Sequence, residues 1–345
     1  MSRASKDSAA TIMSVAEKAG VSKKTVSRVI NNEPNVTDKT RQRVLSVMKE
    51  LHYTPSFSAR ALASRRTHLL ALVYKNPDSD YVVGLQSGML DACHKYDYWL
   101  LTCPLENFEE GSLFEALEKL GDKSRVDGLI LAPPISDMPE VNDYIAKLDV
   151  PCVRISSVEI ERDRSSLYSD DELACEKMTE HLITLGHRKI AFICGPEDHA
   201  CTELRYQGYC TALKKAGIDL TPSHVALGDF HFESGYYSAQ KLLTSANPPT
   251  AIFAANDEMA AGVMRYAKEQ GIDVPTSLSV AGYDDAPISR QLWPALTTIR
   301  QPVREMGEAA ASKMLRRVLG ERNLDINSSF NCELIFREST AQAPQ

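Results

Sequence analysis

Apolar residues recur at helical spacing through the first part of the chain. Val15, Ala16, Ala19, Val21, Val26, Val29 and Ile30 form one set, separated by polar positions that would face outward. Thr11 is placed to cap a helix over residues 12–19, Gly20 to turn the chain, and Ser22 to cap a second helix over 23–30. Ala16 is small enough for two helices to cross closely there. After Thr37 the series Val44, Val47, Met48 and Leu51 predicts a third helix whose apolar stripe covers the other two. The pattern describes a three-helix unit with a small core, and a helix-turn-helix within it.

From His68 the period changes. Short apolar runs at residues 69–74, 99–103, 128–131 and 152–155 alternate with helical stretches at 82–96 and 114–120. The alternation restarts with strands at 189–194, 225–227, 251–254 and 280–283 and helices at 204–216, 233–243 and 259–269. Two such blocks imply two parallel sheets with helices on both faces. The expected fold class is α/β: an all-α helix-turn-helix N-terminal domain, then two Rossmann-like parallel-sheet lobes. Open sheets bind ligands beyond the carboxyl ends of their strands, so the residues there are the informative ones. They include Asn76, Asp78, Asp80 and Tyr81, then Pro133 and Pro134, and in the second block Asn256, Asp257, Asp284 and Asp285. Carboxylates that accept hydroxyl protons, beside aromatic rings that cover C–H faces, suit a polyol. Asp257 also reads as a helix cap ahead of Met259, and Asp284 and Asp285 read either as caps or as ligand contacts.

Charge sharpens the division. The 345 residues have a formal net charge of −7, yet residues 1–66 hold 13 basic and 5 acidic side chains while the remainder hold 26 basic and 41 acidic. A basic head on an acidic body is the footprint of a polyanion at one end. Lys23 and Lys24 sit at the start of the second predicted helix and Arg28 one turn on, where a recognition helix meets base edges. Ser22, Thr25 and Ser27 can donate to phosphates. The eight cysteines lack C-x-x-C or Cys/His spacing and read as reduced thiols, with no metal site. No run of ~18 apolar residues spans a membrane. The polar N-terminus is unlike a secretory signal, so a cytoplasmic location is expected. Phosphate-loop, dinucleotide, zinc-protease and nucleophile-elbow motifs are all absent, which argues against an enzyme or a cofactor.

Taken together, residues 11–22 (TIMSVAEKAGVS), 25–31 (TVSRVIN), Thr40, Arg41, 51–53 (LHY) and 59–63 (ARALA) resemble the lactose-repressor (LacI) family of bacterial regulators. Matches continue to about Gln301. The resemblance makes the two lobes a periplasmic-binding-protein-like type I sensor. It implies a DNA-binding domain over 1–54, a hinge helix and linker over 55–67, and an effector-binding and dimerisation domain over 68–345. Lobe 1 would take about 68–165 and 296–327, lobe 2 about 166–295 and 328–345, with crossings near 165, 295 and 328. The expected DNA contacts are Thr11, Ser22, Lys23, Lys24, Thr25, Ser27, Arg28, Asn31, Arg60 and Leu62, the last wedging into the minor groove from a hinge helix at 56–64. The expected effector contacts are Asn76, Asp80, Tyr81, Arg205, Asn256 and Asp284, with Phe230 stacking on the ligand and Trp293 a further aromatic candidate.

The function implied is a repressor of carbohydrate-utilisation genes that binds a pseudo-palindromic operator as a homodimer under control of a sugar or glycoside. The chain ends without a leucine-heptad tail, which favours a dimer over a tetramer. The rival readings are a soluble sugar-binding protein without a DNA role and a regulator loaded by a purine-type corepressor. Induction and corepression both remain open at this stage.

Overall fold

A computed structural model describes residues 10–30, 34–53, 66–75, 79–105, 110–121, 125–148, 150–155, 166–321 and 326–344. The chain divides into two compact units, Met1–His68 and Leu69–Gln345. Among the described residues, no helix is long and apolar enough to cross a membrane. The hinge assignment at 56–64, with Arg60 and Leu62, lies outside the described residues, as do Asn31 and Asn76.

The first unit contains α1 (Ile12–Ala19), α2 (Lys23–Ile30) and α3 (Asp38–Glu50). Side-chain caps set where each begins. Thr11 Oγ1 accepts from the Ser14 N–H at 3.3 Å while Ser14 Oγ accepts from the Thr11 N–H at 2.7 Å, a reciprocal box that satisfies two donors at the start of α1. Gly20, at φ 62°, closes that helix in the left-handed region. Ser22 Oγ accepts from the Thr25 N–H at 3.1 Å, and Thr37 Oγ1 from the Thr40 N–H at 3.4 Å. The buried set is Val15, Ala16, Ala19, Val26, Val29, Val44 and Val47, and Ile12, Val36 and Tyr53 pack on it in addition to the residues expected from periodicity.

The first half of the second unit runs β1 (Leu69–Tyr74), α4 (Ser79–Lys95), β2 (Trp99–Pro104), α5 (Glu110–Leu120), β3 (Gly128–Leu131), α6 (Pro139–Ile145), β4 (Cys152–Ile155) and β5 (Ser166–Ser169). It continues with α7 (Asp171–Thr184), β6 (Ile190–Cys194), α8 (Ala200–Lys215), β7 (Val225–Leu227), α9 (Phe232–Leu243), β8 (Ala251–Ala254), α10 (Asp257–Glu269), β9 (Ser279–Ala281) and α11 (Pro287–Gln291). The last elements are β10 (Thr298–Arg300), α12 (Val303–Leu319), β11 (Ser329–Phe330) and β12 (Glu333–Ile335). One parallel sheet has the order β2-β1-β3-β4-β5-β11, the other β7-β6-β8-β9. In each, the chain leaves the first strand toward one edge and then returns to build the other way. That reversal opens a crevice at the carboxyl ends of β1 and β3, and of β6 and β8.

Sheet membership moves the lobe boundaries. β5 pairs with β4 and β11 pairs with β5, so both belong to the first sheet, whereas β10 pairs antiparallel with β12. The crossings therefore fall at about Asp170, Gln301 and Asn331, later than 165, 295 and 328. The strands responsible, SLYS and SF, are short and largely polar. Their assignment comes from pairing, which periodicity does not register. Helices α7 and α12 were likewise not anticipated as separate elements, and α12 packs on α4, β3 and β4 of the first lobe.

Glycine brings the helix pairs of both lobes into near backbone contact. A Cβ on Gly88 of α4 would lie 1.9 Å from the Arg304 carbonyl oxygen of α12, and one on Gly208 of α8 would lie 2.2 Å from the Glu172 oxygen of α7. Gly88→Ala and Gly208→Ala are each expected to destabilise the protein by about 1–3 kcal/mol, since backbone rather than a pliable side chain must give way. Denaturant unfolding of the full chain measures it, and an unchanged midpoint would contradict the close crossing.

Candidate functional site

Two surfaces carry candidate chemistry, one in each unit. On α2, Ser22, Lys23 and Lys24 are exposed, and Thr25, Ser27 and Arg28 are half-buried. The core residues Val26 and Val29 occupy the opposite side. Lysines at a helix N-terminus add their charge to the partial positive charge of unpaired backbone N–H groups, which favours an anion. The Ser22 hydroxyl caps α2 by accepting from the Thr25 N–H and lies 2.9 Å from the Thr25 hydroxyl, and the Thr11 hydroxyl caps α1. Ser22 and Thr11 therefore hold the helices in place from the same atoms that could meet phosphate.

In the second unit the loops beyond the strands converge on Arg205. This guanidinium is 5% exposed; its Nε donates to Asp171 Oδ1 at 2.8 Å and its Nη1 to the Ala255 carbonyl at 2.7 Å. Asp284 Oδ1 lies 3.9 Å from Nη1, and the Tyr283 ring centroid is 3.6 Å from the guanidinium carbon. Asp171 is held from the other side by the Ser169 hydroxyl, which accepts from Gln301 Nε2 at 2.8 Å. Two crossing segments are thereby tied to the arginine through buried hydrogen bonds. Tyr81 reaches the same neighbourhood from the first lobe. Burial, and then the Asp171 carboxylate, push its phenol well above the usual tyrosine range, so it stays protonated.

The second-lobe loops hold unusual backbone. Phe230, Asp284 and Asp285 have φ of 68°, 108° and 54°. Asn256 caps α10 by accepting from the Met259 N–H at 2.9 Å and donates to the Phe230 carbonyl at 2.8 Å, so both ends of its amide position the site. Asp257 accepts from Thr298 Oγ1 at 2.6 Å and from the Ala286 N–H at 2.8 Å, and burial raises its pKa well above the usual value. For Asp285, burial acts first to raise the pKa, but hydrogen bonds from Arg337 and Arg300 outweigh it and hold the carboxyl low.

A cleft of about 570 Å³ opens between the lobes, lined by Asp80, Tyr81, Asp284, Arg290, Gln301 and Asn331 among others. Of the predicted effector residues, Asp80, Tyr81 and Asp284 line it, whereas Arg205, Asn256 and Phe230 are buried in the second lobe and are not among its lining residues. Trp293 does not join them: it stands 95% exposed on the loop after α11. Residue type alone does not encode the direction of a loop side chain.

Several residues of this region gave no signal in the sequence. Asp171 neutralises Arg205, yet it lies at the start of an unanticipated helix. Ser136, His199, Thr202 and Gln301 each present a buried side-chain atom with no hydrogen-bond partner among the described residues. Buried polar atoms are rarely left so, and these sit beyond strand ends or at a crossing. Ser/Thr and His in loops are too common for such positions to stand out beforehand.

Each unit matches a known protein family. Residues 11–56 match the model of bacterial regulatory proteins of the lacI family, and residues 179–340 match a periplasmic binding protein-like domain. The chain is 34% identical to the ribose operon repressor of Escherichia coli K12, over 90% of its length and 93% of that protein. It is 35% identical to the HTH-type transcriptional repressor PurR of Pectobacterium atrosepticum, over 97% and 98%. Its fold is similar to the lac repressor dimer bound to operator and an anti-inducer, with a TM-score of 0.80 and 29% identity over 97% of this chain and 100% of that one.

Arg205→Leu would leave the Asp171 carboxylate buried without its cation. A loss on the order of 3–5 kcal/mol is expected in denaturant unfolding, and a loss below about 1 kcal/mol would show that solvent reaches the pair.

Proposed function

The chain belongs to the lacI family of bacterial regulatory proteins, and on that footing we propose that it is a transcriptional repressor gated by a neutral sugar-like effector. It binds a pseudo-palindromic operator as a homodimer, two α2 helices entering successive major grooves. Lys24 and Arg28 read base edges, and the hydroxyls of Ser22, Thr25 and Ser27, with Lys23, meet phosphates. Hinge segments pair at the centre of the site, where Leu62 kinks the duplex. The observation that supports this most directly is the α2 surface, whose exposed lysines flank a helix N-terminus opposite a fully buried apolar face.

The second unit acts as the sensor. An effector enters the cleft between Tyr81 and Asp80 on one side and Asp284 on the other, within reach of Arg205. Closing the lobes around it shifts a two-state equilibrium by the ligand's differential affinity for the two forms. Carboxylates and amide groups favour hydroxyl donors, which supports a sugar over a purine.

Lys24→Ala and Arg28→Ala should each cost about 1–3 kcal/mol on operator DNA and relax base preference, and binding by the parent should fall steeply with salt. Equal affinity and equal selectivity in fluorescence anisotropy would exclude α2 as the reading helix. A sugar that binds the folded form alone should stabilise it by about 2.7 kcal/mol at hundredfold excess over Kd. Asp284→Ala should abolish that stabilisation while DNA binding persists; a retained shift would remove Asp284 from the ligand contacts.

A further inference from the structure

A second cavity, of about 250 Å³, lies in the first lobe near the amino end of β4, whereas the crevice opens at the carboxyl ends of the strands. The end of α6 and the turn after it line the cavity with Ile145 and Leu148. Val150 and Arg154 line it from the β4 segment, and Arg317 from the last turn of α12. β4 has a strand on each side, β3 and β5, and its Val153 and Ile155 are buried. Half-buried Arg154 departs from the apolar run expected of such an inner strand. Arg317 is exposed, and its Nη1 donates to the Cys152 carbonyl at 3.2 Å, which holds the guanidinium over the start of β4.

The charge here runs against the rest of the body. Residues 67–345 hold 26 basic and 41 acidic side chains, yet among the described residues no carboxylate lines this cavity. Arginine keeps its charge at any ordinary pH, so the wall presents two permanent cations and no anion of its own.

We propose that this cavity binds a small phosphate, the free ion or a short-chain monoester, between Arg154 and Arg317. Two guanidiniums match the charge of a phosphate dianion, and their planar forks suit its oxygens. A carboxylate carries one charge and would engage one fork. Ile145, Leu148 and Val150 supply an apolar side against which a short carbon chain can lie. The site is separate from the effector cleft and does not depend on the reading of that cleft. The two are joined by α12, whose 17 residues span about 25 Å and whose first residues, Val303, Arg304 and Glu305, line the cleft. An ion clamped between β4 and the far end of this helix steadies a wall of the cleft, so phosphate acts as a second signal.

Calorimetry on the full chain at about pH 7.5, where a phosphate monoester is a dianion, tests the site. It compares inorganic phosphate, glycerol 3-phosphate and acetate against a chloride background of constant ionic strength. One of the two phosphates should bind with a Kd of about 1 mM or tighter, and acetate at least about tenfold more weakly. Whichever phosphate binds more tightly identifies the source, free ion or monoester. Arg317→Gln, at an exposed helix end, should fold normally and weaken phosphate by about tenfold or more. Arg154→Gln should do the same, and Arg317→Lys, which keeps the charge and loses the fork, should fall between. Hydrogen exchange should slow at residues 150–154 and 313–319 when phosphate is added, with protection reaching 303–305. Protection that stops short of 303–305 overturns the link to the cleft and leaves the site. Phosphate affinity unchanged in Arg317→Gln overturns the site, as does binding of neither phosphate. Phosphate binding lost in Lys24→Ala instead puts the ion on the head, and the proposal falls.

Discussion

An arginine does not shed its charge, so a guanidinium buried beyond the strand ends obliges its surroundings to supply acceptors. Around Arg205 these come from the first residue of α7, from the loop after β8 and from the loop after β9. The Ser169 hydroxyl and the Gln301 amide extend the set to two crossings between the lobes. Elements far apart in the chain are thus held in one register by a single cation. The arrangement is costly to break on one side only, because the partner left behind would remain buried and charged.

That constraint accounts for the strained backbone nearby. Phe230, Asp284 and Asp285 occupy the left-handed region without being glycine, a cost that persists only where neighbours over-determine the conformation. Asn256 holds the Phe230 carbonyl, the Asp284 N–H donates to the Ile299 carbonyl at 2.7 Å, and Arg300 and Arg337 hold the Asp285 carboxylate. Arg300 belongs to β10 in a crossing segment and Arg337 follows β12, so the same ion pairs that fix the loop also anchor the connections between lobes. A ligand that changed the spacing of Asp284 and Tyr81 would act on groups already linked to those connections.

The glycine crossings set how each lobe behaves as a body. Where α4 meets α12 and α7 meets α8, backbones pack directly on one another, leaving little side chain to rearrange. Interiors packed in this way move as units rather than deforming smoothly.

Much of this protein was legible in its sequence. The head's three helices follow from apolar spacing and from cap residues such as Thr11, Ser22 and Thr37, interactions that act within a few positions of chain. The alternating strands of both lobes follow from short buried runs for the same local reason. Arg205 and Asp284 stood out through their motifs, and the structure brings the two within 3.9 Å of each other. Tertiary structure alone decided that β5 and β11 join the first sheet, that Asp171 neutralises Arg205, that His199 turns an unpaired nitrogen inward, and that Trp293 turns away. Each depends on contacts between residues distant in sequence, and local spacing specifies which face of an element is apolar without specifying which distant partner will meet it.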